Sequence, residues 1–396
     1  MFKNNKELIG LSLSAFLLML GDGMVLALLP QKVIDLTNSI SLIGYLASTY
    51  AIAQLISQIP IGVLADRMGV KFFIITGYVL SVLSGLLYYF TTNVNLVFLG
   101  RVLQGIGEAP ILALAPALLS LQYPSSKGKK IGIYNASIYL GLTMGPLVGM
   151  VFFEKWSDNQ IFLFYAVMCL LGTIINSYIL ENRVKCETTN NENINLSNLI
   201  VFIKNPYTLV ILFGITLYGS GFGMFLTIIP AFLITEKSFG QSYIGIFFSM
   251  FYVAISLAQI ITGFLSDKMG RKIFMVIGLI IAAVGLRMTS NFDHMWLNLV
   301  FCVTSLGLGI FYLSSLAYLN ETVPDYFKGT ISGAYYLFWG IGMFWGPLIF
   351  SNYLHSSKYY FGFSIFALLL ALEAVLLFMT TLIQSRTTGY AKQMPR

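Results

Sequence analysis

Long apolar runs and short polar breaks alternate along nearly the whole chain. Twelve runs stand out, at about 8–29, 43–64, 72–91, 96–121, 131–152, 160–180, 207–233, 243–265, 273–290, 297–322, 331–351 and 361–384. Each is near the ~20 residues that carry an α-helix across a bilayer. The expected fold class is therefore an all-α membrane protein with twelve transmembrane helices. The first run is too long for the core of a signal peptide, and no A-x-A-like cleavage site follows it, so it counts as the first span. Most connections are short. The exception, Glu181 to Pro206, is polar and asparagine-rich and predicts a flexible linker. Its last stretch, from Leu196, fits a short helix on the membrane surface as well as it fits coil. The organisation expected is a six-helix bundle over 1–180, a linker over 181–206 and a second six-helix bundle over 207–396.

The two halves repeat each other. Gly62 to Lys71 reads G-V-L-A-D-R-M-G-V-K, and Gly263 to Lys272, 201 residues on, reads G-F-L-S-D-K-M-G-R-K. The same offset carries Gly132, Gly141, Gly145 and Pro146 onto Gly333, Gly342, Gly346 and Pro347. Gly21 to Pro30 (G-D-G-M-V-L-A-L-L-P) recurs as Gly221 to Pro230 (G-F-G-M-F-L-T-I-I-P), at an offset of 200. Six spans per half make both halves enter the membrane from the same side, as parallel repeats about an axis along the membrane normal. This is the plan of a transporter, in which two half-bundles rock about a site between them.

Composition agrees. Hydrophobic residues make up 57% of the chain and charged residues only 10%, against the ~25% charged of a soluble domain. The net charge of +7 is a matter of topology. With the amino terminus cytoplasmic, 17 Lys and Arg fall on inner loops and tails. Four (Lys32, Lys155, Lys237 and Lys358) fall on outer loops, and Arg101 and Arg287 lie within spans. That bias is the positive-inside rule and predicts cytoplasmic termini in a multi-pass cell-membrane protein. It leaves no reason to expect a nucleic-acid partner. Cys169, Cys186 and Cys302 have no paired spacing, so neither a disulfide nor a metal site is implied, and no cofactor is expected. His294 and His355 sit at outer span ends and read as surface residues.

The duplicated loop has a physical reading. Gly62 and Gly69 allow close helix approach and a tight turn. Asp66 ends a helix where a carboxylate can face the positive N-terminus of another helix. By the repeat, that partner is the eleventh helix, starting near Thr330, and Asp267 faces the fifth, starting near Ile131. The loop resembles the signature loop of the major facilitator superfamily at Gly62, Leu64, Asp66, Arg67, Gly69 and Lys71, departing at Val70, where a second basic residue is usual. The second copy keeps Gly263, Asp267, Lys268, Gly270, Arg271 and Lys272. The resemblance covers essentially the whole chain. It implies a twelve-helix secondary transporter, a monomer in the lipid bilayer with a small-molecule substrate. It also implies that the two loops lock the inner side closed while the protein faces outward.

Span five carries Gly132, Gly141, Gly145-Pro146 and Gly149, which resembles the motif of the drug–proton antiporters of that superfamily. Met150 stands where the motif has a final glycine. Gly141, Gly145 and Gly149 recur every four residues and line one face for tight helix packing. Pro146 removes a backbone donor and kinks the helix. Gly132 falls on the opposite face. In the family this motif accompanies export. Span four holds R-V-L-Q-G-I-G-E-A-P, in which Arg101, Gln104, Gly105 and Gly107 resemble the family's fourth-helix motif, linked in antiporters to proton coupling. Its G-x-G-E-A run also resembles the Spinster-type lipid exporters.

Intramembrane charges mark function by default. Asp22 and Arg101 each lie roughly 9–11 Å below the outer end of their span, at 1.5 Å per residue. Glu108 is almost two turns beyond Arg101 on the same stripe. An Asp22–Arg101 bridge fits this geometry, and with Glu108 the three form one polar track. A carboxylate that exchanges a cation partner for a proton is a coupling device, and a structural ion pair is the alternative. The second half lacks the track: Phe222, Cys302 and Gly309 stand at the matching positions. It offers aromatics instead. Gln104, Tyr312, Tyr335, Tyr336, Trp339 and Glu373 are the candidate cavity residues, since aromatics suit amphipathic or cationic ligands.

The function expected is proton-coupled efflux of small amphipathic or drug-like molecules by alternating access. Export of one endogenous solute (a siderophore, sugar, amino acid or lysolipid) is the alternative within the class, and import a further one. The spans hold no His, paired-Cys or H-E-x-x-H arrangement for an enzyme and no P-loop for a primary pump.

Overall fold

The structure is a computed structural model, and it describes residues 5–37, 42–153, 158–181, 206–239, 241–292, 295–351 and 359–391. The 181–206 linker beyond Glu181 and up to Asn205, Cys186, both histidines, Lys155 and Lys358 lie outside the described residues.

The described residues are helical almost throughout. The long helices are α1 (Lys6–Thr37), α2 (Leu42–Met68), α3 (Val70–Phe90), α4 (Val94–Gln122), α5 (Lys127–Phe153) and α6 (Asp158–Ile179). After the linker come α7 (Pro206–Leu226), α8 (Ile228–Thr235), α9 (Gln241–Met269), α10 (Arg271–Met288), α11 (Met295–Thr322), α12 (Lys328–Ser351) and α13 (Tyr359–Ala391). Among the described residues ten helical segments are long and apolar enough to cross a membrane. The other two long helices, α5 and α12, stand at the expected fifth and eleventh runs. The seventh run is split into α7 and α8. Pro230 explains the break: it has no N–H for the carbonyl four residues back, which belongs to Leu226, the last residue of α7.

The chain forms two compact units. The first is residues 1–191 with 320–337, and the second is 192–319 with 338–396. In the first, α1 packs on α5 and α6, α4 on α2 and α3, and α3 on α6. In the second, α13 packs on α10 and α7. Glycines set the closest approaches. A Cβ added at Gly141 would meet the Phe16 carbonyl oxygen at 2.7 Å, and one at Gly145 would meet the Gly23 Cα at 2.9 Å. The four-residue glycine stripe of α5 thus lies along α1 on either side of Asp22. The second unit repeats the device, with Gly346 of α12 against the Ser220 Cα of α7.

The α2–α3 and α9–α10 connections are one residue each. Gly69 (φ 96°) and Gly270 (φ 90°) adopt the left-handed conformation, which a side chain would strain. Their amides close the preceding helices, bonding to the carbonyls of Ala65 at 2.9 Å and Ser266 at 3.1 Å. Lys32, expected on a loop, belongs to the last turns of α1. Its ammonium finds acceptors there, donating to the Tyr88 carbonyl and to Asn159 Oδ1 (3.0 Å), over the Phe162 ring.

Candidate functional site

The first unit encloses a polar ladder built by four helices. Asp22 of α1 and Arg101, Gln104 and Glu108 of α4 are all buried. Spacing on α4 puts the last three on one stripe, one turn apart. Helix α4 reaches its neighbours through glycines. A Cβ at Gly105 would lie 2.5 Å from the Tyr50 carbonyl oxygen of α2, and one at Gly107 2.7 Å from the Gly77 carbonyl oxygen of α3. These contacts bring Tyr50 and Gln54 of α2 and Tyr88 of α3 to the stripe.

Gln104 is the joint. Its carbonyl oxygen accepts from Arg101 Nη1 (2.9 Å) and from the Tyr88 hydroxyl (2.9 Å). Its amide nitrogen donates to Asp22 Oδ1 and to Glu108 Oε1 (3.0 Å). All the bonding capacity of one side chain is used, which fixes its orientation. Tyr50 completes the lower end. Its hydroxyl donates to Glu108 Oε2 at 2.5 Å and accepts from Gln54 Nε2 at 3.1 Å. The Arg101 guanidinium carbon lies 5.6 Å from the centre of the Tyr50 ring. Asp22 and Arg101 are therefore joined through Gln104, where a direct bridge was expected. Tyr50, Gln54 and Tyr88 are members that the sequence reading did not name. Charge accounting sets the chemistry: two buried carboxyls face one guanidinium. An ionised carboxylate without a cation is expensive in such a place, so a proton is the natural third partner.

The duplicated loop holds a second site in the first unit. Asp66, in the last turn of α2, accepts from the amides of Gly329 and Thr330, each at 2.8 Å, and from Thr330 Oγ1 at 2.5 Å. It thus caps α12, whose N-terminus is the positive end of the helix. Gly62 makes the approach, since a Cβ there would lie 2.6 Å from the Gly329 carbonyl oxygen. Lys71 donates to the Ser177 carbonyl at 3.0 Å. In the second copy Asp267 forms an ion pair with Arg271, which also donates to Ser266 Oγ at 2.5 Å. Arg271 stands where the first copy has Val70. Lys268 lies over the Phe264 ring at 4.2 Å, and Lys272 over Tyr207 at 4.8 Å.

The expected cavity residues fall in both units. Gln104 and the edge-to-face pair Tyr335 and Tyr336 (5.5 Å) belong to the first. Tyr312, stacked on Tyr218 at 5.1 Å, Trp339, against Phe222 at 5.5 Å, and Glu373 belong to the second. Of the span-five motif, Gly141 and Gly145 make the α1 contacts above, and Gly132 and Gly149 are buried.

A helical membrane fold with an internal repeat and a buried charged ladder defines a multi-pass integral membrane transporter. The family model described as Major Facilitator Superfamily matches residues 11–239 and 211–393. The chain belongs to the Major Facilitator Superfamily. It is similar to an uncharacterized MFS-type transporter of Methanocaldococcus jannaschii, 26% identical and covering 88% of this chain and 92% of that one. It is also similar to multidrug resistance protein 2 of Bacillus subtilis, at 24% identity over 88% of this chain and 90% of that one. Among solved structures, the E. coli fucose:proton symporter superposes with a TM-score of 0.78 at 14% identity, over 94% of this chain and 98% of that one. As a member of this superfamily the chain is a transporter and not an enzyme.

Proposed function

We propose that this transporter is a proton-coupled exporter of small amphipathic or drug-like molecules, working by alternating access in the cell membrane with both termini cytoplasmic. One observation carries the reading: two buried carboxyls, Asp22 and Glu108, share the Gln104 amide while a single guanidinium, Arg101, faces them. Such a ladder holds one proton more readily than none. A conformational change that lets water reach either carboxyl would release that proton on one side of the membrane and take it up on the other. The coupling follows if a solute competes for the same bonds. The likeness to a multidrug resistance protein supports export and the drug-like substrate class. The glycine stripe of α5 against α1 supports it too, because it places the antiporter-like motif directly beside Asp22. In this reading the Asp66 cap on α12 is a gate contact, made in one state of the cycle and broken in another, with Asp267 its counterpart.

Transport into proteoliposomes under imposed pH and sodium gradients, across amphipathic cations, sugars, amino acids and lysolipids, tests the proposal. Accumulation of amphipathic solutes driven by a pH gradient and indifferent to sodium is expected. Uptake of one sugar or amino acid alone, or dependence on sodium, would replace it.

A further inference from the structure

The second unit holds a buried acid that the ladder does not use. Glu373 of α13 is fully buried, and neither carboxyl oxygen has a hydrogen-bond partner. It is packed by Gly214 of α7 and Phe311 of α11. A Cβ added at Gly214 would lie 2.8 Å from Glu373 Oε1 and 2.8 Å from the Phe311 ring. Glycine on α7 thus makes the room the carboxyl occupies. The first repeat fills the same place without an acid: the 201-residue offset puts Gly172 at the Glu373 position, against the Tyr78 ring. Packing alone does not call for a carboxyl there.

None of the titratable and charged groups on the helices around it is bonded to it. On α7 they are Tyr207 and Tyr218, the latter stacked on Tyr312 of α11. On α10 they are Arg271, paired with Asp267, Lys272, over Tyr207 and Tyr318, and Arg287, 3.4 Å from Ser290. On α11 there are also Cys302, Tyr318 and Glu321, and α13 itself begins with Tyr359 and Tyr360, both against the Phe232 ring. None donates to Glu373. An ionised carboxylate with no cation and no donor carries a desolvation penalty that a marginally stable fold does not sustain.

We propose that Glu373 is a second proton-binding site, separate from the Asp22–Gln104–Glu108 ladder, which holds its proton inside the second bundle in this conformation. It releases the proton when α7 and α13 part enough to admit water. The inference does not depend on coupling through the ladder.

The test is an infrared pH titration of the full-length protein in lipid nanodiscs, wild type minus Glu373→Gln, repeated in an Asp22→Asn background. Glu373→Leu serves as an independent baseline, because an unpartnered neutral acid should be replaceable without loss of thermal stability. The expected result is a protonated-carboxyl C=O band at neutral pH, missing from both Glu373 variants and present with Asp22→Asn. It should convert reversibly to carboxylate as the pH is raised. A carboxylate signal at neutral pH would overturn the proposal. So would a C=O band that never titrates through the alkaline range, which would make Glu373 an inert packing group. Failure of proton coupling in the Asp22→Asn background leaves this band in place, so the two readings fail separately.

Discussion

Two regions of the molecule occupy equivalent places in the repeat and are built from opposite materials. In the first unit Asp22, Tyr50, Gln54 and Glu108 form a hydrogen-bonded ladder around Gln104. The repeat carries these positions onto Phe222, Phe251, Ile255 and Gly309. There Phe222 packs on Phe251 at 5.4 Å and on Trp339 at 5.5 Å, and Gly309 lies against Ala258 and Ile255. The backbone device is kept, with glycines joining α1 to α5 and α7 to α12, while the polar content is exchanged for rings. One scaffold supports both because close helix approach is set by small residues, whichever side chains fill the space between them. A bundle of this kind therefore holds together without the ladder. Its cost is therefore evidence of use.

The largest effect is expected from Gln104→Ser, which installs the residue of the second repeat, Ser305. Arg101, Tyr88, Asp22 and Glu108 would all lose a partner at once. Breaking a buried charged network of this kind costs about 3–5 kcal/mol. Transport should fall by orders of magnitude, with a lowered Tm in detergent. A variant with near-normal transport would mean the ladder is ornamental and the two regions equivalent.

The loops sharpen the comparison at a second place. Asp66→Ala removes three bonds to the start of α12 and should change turnover by an amount equivalent to about 1–3 kcal/mol, the usual scale of coupling. Val70→Arg tests why the two copies differ. An arginine four residues after Asp66 should draw it into the pairing that Arg271 makes with Asp267 and weaken the cap by about 0.5–1 kcal/mol. Turnover rates in liposomes read both changes, and equal rates in all three proteins would leave the loops as turns alone.

Tyr50→Phe is the most conservative change in shape. It takes the ring class of Phe251 and removes one donor to Glu108, worth about 1 kcal/mol. The packing stays, so stability should fall by little more than that bond while the pH profile of transport moves. An unmoved profile would take Tyr50 out of the ladder.

Much of this was legible in the chain. The run lengths predicted the helices, and the ten-residue repeat around Asp66 and Asp267, identical at six positions, predicted a tight glycine turn. That the turn is one residue long was not readable, because the apolar run ends near residue 64 while the helix continues to Met68. Asp22, Arg101 and Glu108 stood out because charge is rare in such runs, and depth counting along the helices set them at neighbouring levels. Gln104 was named for its motif, but its role as the joint was not readable. Bond partners depend on how α4 leans on α2 and α3, which Gly105 and Gly107 decide in three dimensions. Tyr50, Gln54 and Tyr88 were missed because tyrosine and glutamine carry no charge to mark them. Comparing Tyr50 with Phe251 across the repeat was the signal that would have found it. A lysine usually ends a span, so the sequence alone puts Lys32 on a loop. The acceptors that keep it in α1, on α3 and α6, are far away in sequence.

In the proposed cycle, proton chemistry resides in the first unit's ladder. Solute-driven proton movement in proteoliposomes, wild type against Asp22→Asn, tests it most directly. Asparagine keeps the shape and the bond from Gln104 and removes the titration. The variant should still bind solute and exchange it down its own gradient but move no protons with it. Full proton movement in Asp22→Asn would contradict the assignment of the coupling proton to Asp22 and move it to Glu108.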